Sequence, residues 1–139
     1  MRNITKEYIN ALSYEIIGAA IDVHKHLGPG LLESVYQVCM DEELKYREIP
    51  NKSQMIIPIT FRNITLDALL KADFFADDLI VIELKSVEKV LPIHEAQLIT
   101  YMKLLKAPKG ILINFNVTNI FKEGQKTYLS EYYRDLPEE

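Results

Sequence analysis

The chain has 139 residues, of which 48% are hydrophobic and 26% charged, with one cysteine and no tryptophan. This composition is typical of a folded globular protein, and it excludes a disordered chain, a disulfide-bonded scaffold and a membrane-spanning segment. The N-terminal stretch, MRNITKEYINAL, has no secretory apolar core, so we expect a cytoplasmic protein. No linker, repeat or low-complexity tract interrupts the sequence, which predicts one domain over residues 1–139.

The charge is unevenly distributed along the chain. The formal net charge is −4, which is unusual for a protein that neutralises nucleic-acid phosphates. Residues 84–126 nevertheless contain seven lysines and three glutamates, so this stretch carries +4 and the remainder −8. The asymmetry is compatible with a phosphate-facing side, and also with an ordinary solvated face.

Two helices are predicted at the beginning of the chain. Residues 13–27 carry apolar side chains at helical spacing, with Ser13 as the expected N-cap. Gly28 and Pro29 end this helix, because glycine adopts the left-handed conformation and proline cannot continue the hydrogen-bonded ladder. A second helix is predicted from just after Gly30 to about Arg47. Its apolar stripe comprises Leu32, Val35, Tyr36, Cys39, Met40 and Leu44.

The spacing then changes to that of strands. Residues 54–61 are rich in β-branched side chains and predict one strand, and Arg62 with Asn63 predicts a turn. A second strand is expected to run to about Phe75. After a further turn, residues 79–85 predict a central strand that is buried on both faces.

The last third of the chain predicts a helix followed by a strand. Pro92 marks the beginning of a helix over residues 93–106, residues 109–115 predict a buried strand, and one or two short strands are expected around residues 126–129. This order gives an α/β fold, an α+β mixed sheet with helices packed on it. Architecture alone specifies no activity.

Two acidic residues and a lysine carry the strongest chemical signal. A hairpin turn centred on Asp78 places Asp73 opposite Glu83, because each lies five residues from the turn. Side chains alternate along a strand, so Lys85 shares the face of Glu83. Two adjacent carboxylates repel each other unless a cation occupies the site, and Mg²⁺ suits such oxygen ligands.

This constellation has two interpretations. In the first, a metal ion polarises a phosphate and acidifies a bound water, while Lys85 assists that water, which is the chemistry of phosphodiester hydrolysis. In the second, Lys85 merely neutralises Glu83 at the end of a strand. The position inside a very apolar strand favours the first interpretation, since burying charges that have no function is costly.

The same residues resemble a known family. Ala72 and Asp73, followed by Glu83, Leu84 and Lys85, resemble the D-(X)n-E-X-K signature of the PD-(D/E)XK nuclease superfamily. Residues 30–36, GLLESVY, resemble the G-x-x-E-x-x-Y motif of the GxxExxY family, a branch of that superfamily. The similarity covers about residues 12–129. It implies a restriction-endonuclease-like αβββαβ core with an extra N-terminal helix.

The resemblance also implies the catalytic residues and the metal ligands. Glu33 from the helix joins Asp73 and Glu83 as a ligand, and the backbone carbonyl of Leu84 is a further ligand. Lys85 is implied to assist the attacking water. The alternative for Glu33 is an ordinary first-turn acid, stabilised by the helix dipole.

Five further residues are predicted to bind substrate. Gln97 and Tyr101 match the Q-x-x-x-Y element of exonuclease-like branches, and His94 precedes Gln97 by three positions, so all three can share a helix face. Lys71 stands where relatives often have arginine, and Tyr36 follows Glu33 by one helical turn. A polar helix edge with a packed tyrosine is the alternative for the pair Gln97 and Tyr101, and the alternative for His94 is that it caps or lines the beginning of the helix.

The sequence therefore predicts a divalent-metal-dependent nuclease, a hydrolase that cleaves phosphodiester bonds of nucleic acid, DNA more than RNA. The implied cofactor is Mg²⁺ or Mn²⁺, the implied partner is nucleic acid, and no membrane is involved. The subunit number is left open, with a homodimer among the alternatives. The rival hypothesis is a non-catalytic module that keeps the nuclease-like fold and binds nucleic acid or protein, which the negative net charge supports.

Overall fold

A five-stranded mixed sheet lies at the centre of the structure, a computed structural model that describes residues 2–67 and 69–139. Neighbouring strands are antiparallel, except that β5 and β6 are parallel. The strands, in their order across the sheet, are β1 (Asn51–Ile56), β4 (Lys71–Ala76), β5 (Ile80–Lys85), β6 (Lys109–Asn114) and β7 (Gln125–Leu129). The predicted mixed α/β arrangement is confirmed.

Helices cover both faces of this sheet. Helices α1 (Lys6–Leu27) and α2 (Glu33–Tyr46) pack on one face, and α3 (Pro92–Leu105) packs on the other while connecting β5 to β6. A π-helical turn, Ile120–Gly124, precedes β7, and a short helix, α4 (Glu131–Arg134), follows it. In residues 2–67 and 69–139, no helix is both long and apolar enough to cross a membrane.

The first helix begins earlier than predicted. Thr5 is its N-cap, and the Thr5 side chain accepts a hydrogen bond from the backbone N–H of Tyr8 at 3.0 Å. Ser13, the predicted N-cap, is instead buried inside the helix, because the apolar stripe extends back one turn to Ile9. The prediction for Ser13 is wrong because the first helical turn contains the charged residues Lys6 and Glu7, so the apolar spacing that begins at Ile9 was not recognised as helix.

The turn between α1 and α2 follows the prediction. Gly28 (φ +70°) and Gly30 (φ +95°) both have left-handed φ angles, which an L side chain would strain. The N–H of Gly28 donates to the carbonyl of His24 at 2.8 Å and closes α1. Of the predicted stripe in α2, Tyr36, Met40 and Leu44 are buried, whereas Leu32 and Val35, at the beginning of the helix, are exposed.

Two predicted strands are each divided in the structure. Residues 54–61 were expected to form one strand, but β1 ends at Ile56 and β2 (Ile59–Phe61) begins after Pro58, which has no N–H to donate to a ladder. The second predicted strand is likewise split into β3 (Ile64–Leu66) and β4. Strands β2 and β3 form a small separate hairpin, joined by the predicted turn at residues 62–63.

The hairpin of β4 and β5 has the predicted register. Asp77 and Asp78 both have left-handed φ angles, of 52° and 57°, as a tight hairpin turn requires. Phe74 pairs with Ile82 and Ala76 with Ile80. Along β5, alternate residues pack against opposite layers. Ile80, Ile82 and Leu84 join the core under α1 and α2, and Val81 joins the core under α3.

Candidate active site

The site is formed where β4 and β5 separate. Their regular pairing ends at Phe74 and Ile82. At the next position, the backbone N–H groups donate to side-chain carboxylates of the opposite strand and not to backbone carbonyls. The N–H of Asp73 donates to Oε2 of Glu83 at 2.8 Å, and the N–H of Leu84 donates to Oδ2 of Asp73 at 2.8 Å. The two carboxylates are therefore crossed between the strands, each held by the backbone of the opposite strand. The predicted meeting of Asp73 and Glu83 is confirmed.

This arrangement is electrostatically costly when both carboxylates are ionised. Glu83 is only 5% exposed. The pKa of Glu83 is raised to about 8, first by burial and then by the negative charge of Asp73, while the ammonium of Lys85 opposes the increase. At neutral pH the pair therefore retains a proton unless a cation takes its place.

Glu33 lies beside this pair as the first residue of α2. Partial loss of solvation raises the pKa of the Glu33 carboxyl, the charge of Lys85 lowers it, and the charge of Asp73 raises it. The loop before α2 is attached to the end of β5, because Oγ of Ser86 donates to the carbonyl of Leu31 at 2.5 Å. This contact explains how an acid from another element reaches the strand pair.

The three acids do not form a closed ligand set. Among the residues that the structure describes, no three His, Cys, Asp or Glu side chains are close enough to hold a metal ion together. Asp73 and Glu83 are in contact, and Glu33 stands at their edge. The geometry thus provides two carboxylates, with a third within electrostatic range.

Lys85 ends β5 half-buried, two residues after Glu83 and on the same face. Its carbonyl accepts a hydrogen bond from the N–H of Phe115 at 2.9 Å, which fixes the backbone. Within residues 2–67 and 69–139, its ammonium forms no salt bridge. Lys85 therefore acts on Glu83 through its charge, which lowers the pKa of that carboxyl, and not through a salt bridge.

Helix α3 places a buried tyrosine next to the acids. Nε2 of Gln97 donates to the hydroxyl of Tyr101 at 3.1 Å. Burial raises the pKa of Tyr101, and the charges of Glu83 and Asp73 raise it further. Tyr101 is 4% exposed and Gln97 lies on the surface. The hydrogen-bonded pair therefore extends from the solvent-exposed side of α3 to the neighbourhood of Glu83 and Asp73.

His94 and Lys71 lie at the margins of the site. Nδ1 of His94 accepts a hydrogen bond from the N–H of Leu91 at 3.0 Å, so this ring caps the beginning of α3. His94 is also among the groups that lower the pKa of Glu33, which places the ring near that acid. Lys71 is exposed at the first position of β4, on the same strand face as Asp73.

Tyr36 does not line the site, and its predicted substrate contact is corrected. The side chain is fully buried and stacks on Phe115, with ring centroids 4.4 Å apart. Its hydroxyl donates to the carbonyl of Gly28 at 2.5 Å and accepts from the N–H of Leu31 at 3.3 Å. One helical turn after Glu33, the helix already faces the core, so Tyr36 fixes the glycine turn that precedes Glu33.

Two glutamines that the sequence did not single out contact Asp73. Nε2 of Gln37 donates to the carbonyl of Asp73 and to Oγ of Ser53, both at 3.4 Å. Nε2 of Gln54 donates to Oδ1 of Asp73 at 3.4 Å. Gln37 follows Glu33 by four residues, a helical spacing that could have identified it. No local signal in the sequence identifies Gln54.

Comparison with known proteins identifies a family. A model of the PD-(D/E)XK nuclease superfamily matches residues 10–127, a range that includes every site residue described above. No curated protein and no solved structure matches the chain. The mixed sheet with helices on both faces is consistent with the restriction-endonuclease-like fold of this superfamily.

Proposed function

The chain belongs to the PD-(D/E)XK nuclease superfamily, and from this membership we propose a divalent-metal-dependent nuclease that hydrolyses phosphodiester bonds of nucleic acid, DNA more than RNA. The superfamily supports a nuclease-like function and a nucleic-acid substrate. The crossed pair of Asp73 and Glu83 is the observation that carries the metal-dependent reaction. The motif GLLESVY supports the narrower assignment to the GxxExxY branch.

The donor atoms of the site suit a hard divalent cation, Mg²⁺ or Mn²⁺. Protein sites for Mg²⁺ commonly provide one or two carboxylates, and water and substrate phosphate oxygens complete the coordination. Asp73 and Glu83 provide the two carboxylates, and Glu33 and the Leu84 carbonyl are proposed as further ligands. A divalent charge would also stabilise the ionised form of Glu83, whose pKa is raised to about 8 by burial and by the charge of Asp73.

The chain's own residues supply the remaining functions. When bound between these residues, a divalent cation would supply polarisation of the phosphate and acidification of the attacking water. Lys85, free of salt bridges among the described residues and on the face of Glu83, orients the attacking water and offsets the negative charge that develops on the phosphate. Gln97 and Tyr101 position the substrate from α3. His94 and Lys71 contact phosphates at the margins.

A second candidate is a non-catalytic module that retains the nuclease-like fold and binds nucleic acid or protein. The observation in its favour is the pKa of Glu83, about 8, because a protonated Glu83 removes its repulsion with Asp73 at neutral pH without a cation. The net charge of −4 agrees with this candidate as well.

Cleavage assays separate the two candidates. End-labelled single-stranded DNA, duplex DNA and RNA are incubated with Mg²⁺, Mn²⁺ or EDTA and the wild type, Lys85→Ala or Lys89→Ala. The nuclease requires metal-dependent products that disappear in Lys85→Ala and persist in Lys89→Ala, where an exposed lysine is removed. Binding that is indifferent to metal, with no cleavage of any substrate, supports the module instead.

We further propose that residues 1–139 form a single nuclease-like domain and that the protein acts in the cytoplasm. A homodimer is the assembly to test, and sedimentation equilibrium distinguishes it from a monomer.

A further inference from the structure

We propose that Gln54 is a positioning residue that orients the Asp73 carboxylate for metal binding and adopts a strained backbone conformation to do so. This role rests on the proposed function, because it concerns Asp73 as a metal ligand. Gln54 touches neither substrate nor reacting atoms in this proposal and acts through Asp73 alone.

The first observation is a local irregularity between β1 and β4. Ser53 pairs with Phe74, and Met55 pairs with Ala72, so the register is the same on both sides. Between these pairs Gln54 stands opposite Asp73, and the two residues do not pair through their backbones. No residue has been inserted, so the irregularity is not a β-bulge. It is confined to the position that faces Asp73.

The second observation is the backbone conformation of Gln54, whose φ is +51°. In L-amino acids this region brings Cβ close to the carbonyl oxygen, and a long side chain such as glutamine has no local compensation. The other non-glycine residues with positive φ in the described parts of the chain lie in turns or at a helix end, and Gln54 alone lies inside a strand. It is exposed, so burial of its side chain does not account for the strain.

The third observation is the contact that this conformation provides. Nε2 of Gln54 donates to Oδ1 of Asp73 at 3.4 Å, while the N–H of Leu84 donates to Oδ2 at 2.8 Å. The short bond from β5 holds Oδ2, and the longer bond from β1 restrains Oδ1, so donors from both neighbouring strands orient the Asp73 carboxylate. Strained residues that persist in folded proteins concentrate at functional sites, where the conformation serves the site.

Substitution by glycine separates a positioning role from a structural one. Gln54→Gly removes the amide and also relieves the strain, because glycine adopts positive φ freely. We expect its urea midpoint to equal or exceed that of the wild type, while Mg²⁺ affinity, measured by titration calorimetry without substrate, falls about tenfold, as when other partners of metal ligands are removed. A merely structural residue would lose stability and affinity together.

Two further variants complete the experiment. Thr127→Gly changes an exposed residue of the edge strand β7 whose φ is ordinary, so we expect lower stability and unchanged Mg²⁺ affinity. Gln54→Asn tolerates the left-handed conformation, but its amide is one methylene shorter, so we expect retained stability and weakened Mg²⁺ binding.

The outcomes distinguish this role from the proposed function. Wild-type affinity in Gln54→Gly and in Gln54→Asn overturns the role of Gln54 and leaves the proposed function intact. A wild type that binds no Mg²⁺ overturns both. A loss of affinity in Gln54→Gly, without loss of stability and without a matching effect in Thr127→Gly, supports the proposal.

Discussion

Glu83→Gln should make the metal-free protein more stable, and the gain should grow with pH. The folded protein holds the pKa of Glu83 at about 8, compared with 4.5 for an exposed glutamate. Between these values the folded state retains a proton that the unfolded state has released, so rising pH favours unfolding. The favourable contribution of the protonated side chain is complete below pH 4.5 and is lost as the pH rises through 8. Glutamine stays neutral and resembles protonated glutamate at every pH.

The size of the effect follows from the same two pKa values. Each pH unit between them corresponds to about 1.4 kcal/mol, so the variant gains about 1 kcal/mol at pH 5.5 and about 5 kcal/mol at pH 9. The larger value rivals the whole free energy of unfolding of a small domain, which is about 5 to 15 kcal/mol. The pair of Asp73 and Glu83 should therefore limit the stability of the metal-free protein in alkaline buffer.

Urea unfolding in EDTA from pH 5.5 to pH 9 measures this difference directly. Glu88→Gln is the matched control, since it removes a carboxylate from an exposed position and should track the wild type at every pH. A gap between Glu83→Gln and wild type that stays constant across the range would refute the reasoning, because only a titrating group produces a slope. Added Mg²⁺ should restore the wild type at pH 9 and leave Glu83→Gln unchanged.

Three further results are expected. The Mg²⁺ affinity of the wild type, measured by calorimetry, should rise with pH and level off above about 8, because binding displaces the proton of Glu83. An affinity that does not change from pH 6 to pH 9 would contradict the assignment of the metal site to the carboxyl pair. Asp73→Asn should abolish Mg²⁺ binding in a folded protein, and Glu33→Gln should weaken it less, since Glu33 lies at the edge of the pair. Equal losses of Mg²⁺ affinity in both variants would show that this ranking is wrong. Tyr36→Phe should lower the free energy of unfolding by about 1 kcal/mol through loss of the hydrogen bond to Gly28 and should barely change Mg²⁺ affinity. Unchanged stability with a loss of Mg²⁺ affinity would instead show that Tyr36 belongs to the site.

Local chemistry along the chain was sufficient to predict much of the fold and the centre of the site. Gly28 and Pro29 end α1 as their backbone preferences require, and the turn at Asp77 and Asp78 brings Asp73 onto Glu83. These features depend on residues that are close in sequence, where turn type and side-chain alternation fix the register. The burial of Glu83 was also predictable, because it lies within a continuous apolar strand.

Other features depend on contacts between distant segments. The apolar stripe placed Tyr36 correctly on the buried side of α2, but its spacing from Glu33 also suggested a site residue. Only the packing of α2 on the sheet, with the Tyr36 ring stacked on Phe115, showed that Tyr36 is a core residue and not a site residue. The pKa of Glu83 likewise requires the desolvation that the assembled layers produce.

Gln54 marks the limit of prediction from the sequence. Its left-handed backbone is unfavourable for glutamine, so local preference predicts an ordinary strand residue there. Pairing of β1 with β4 across a separate hairpin brings it opposite Asp73 and selects the conformation. The sequence by itself determined the order of the elements and the acidic pair, because both arise from neighbouring residues. The tertiary structure decided which side chains surround that pair, because those contacts depend on how distant segments pack.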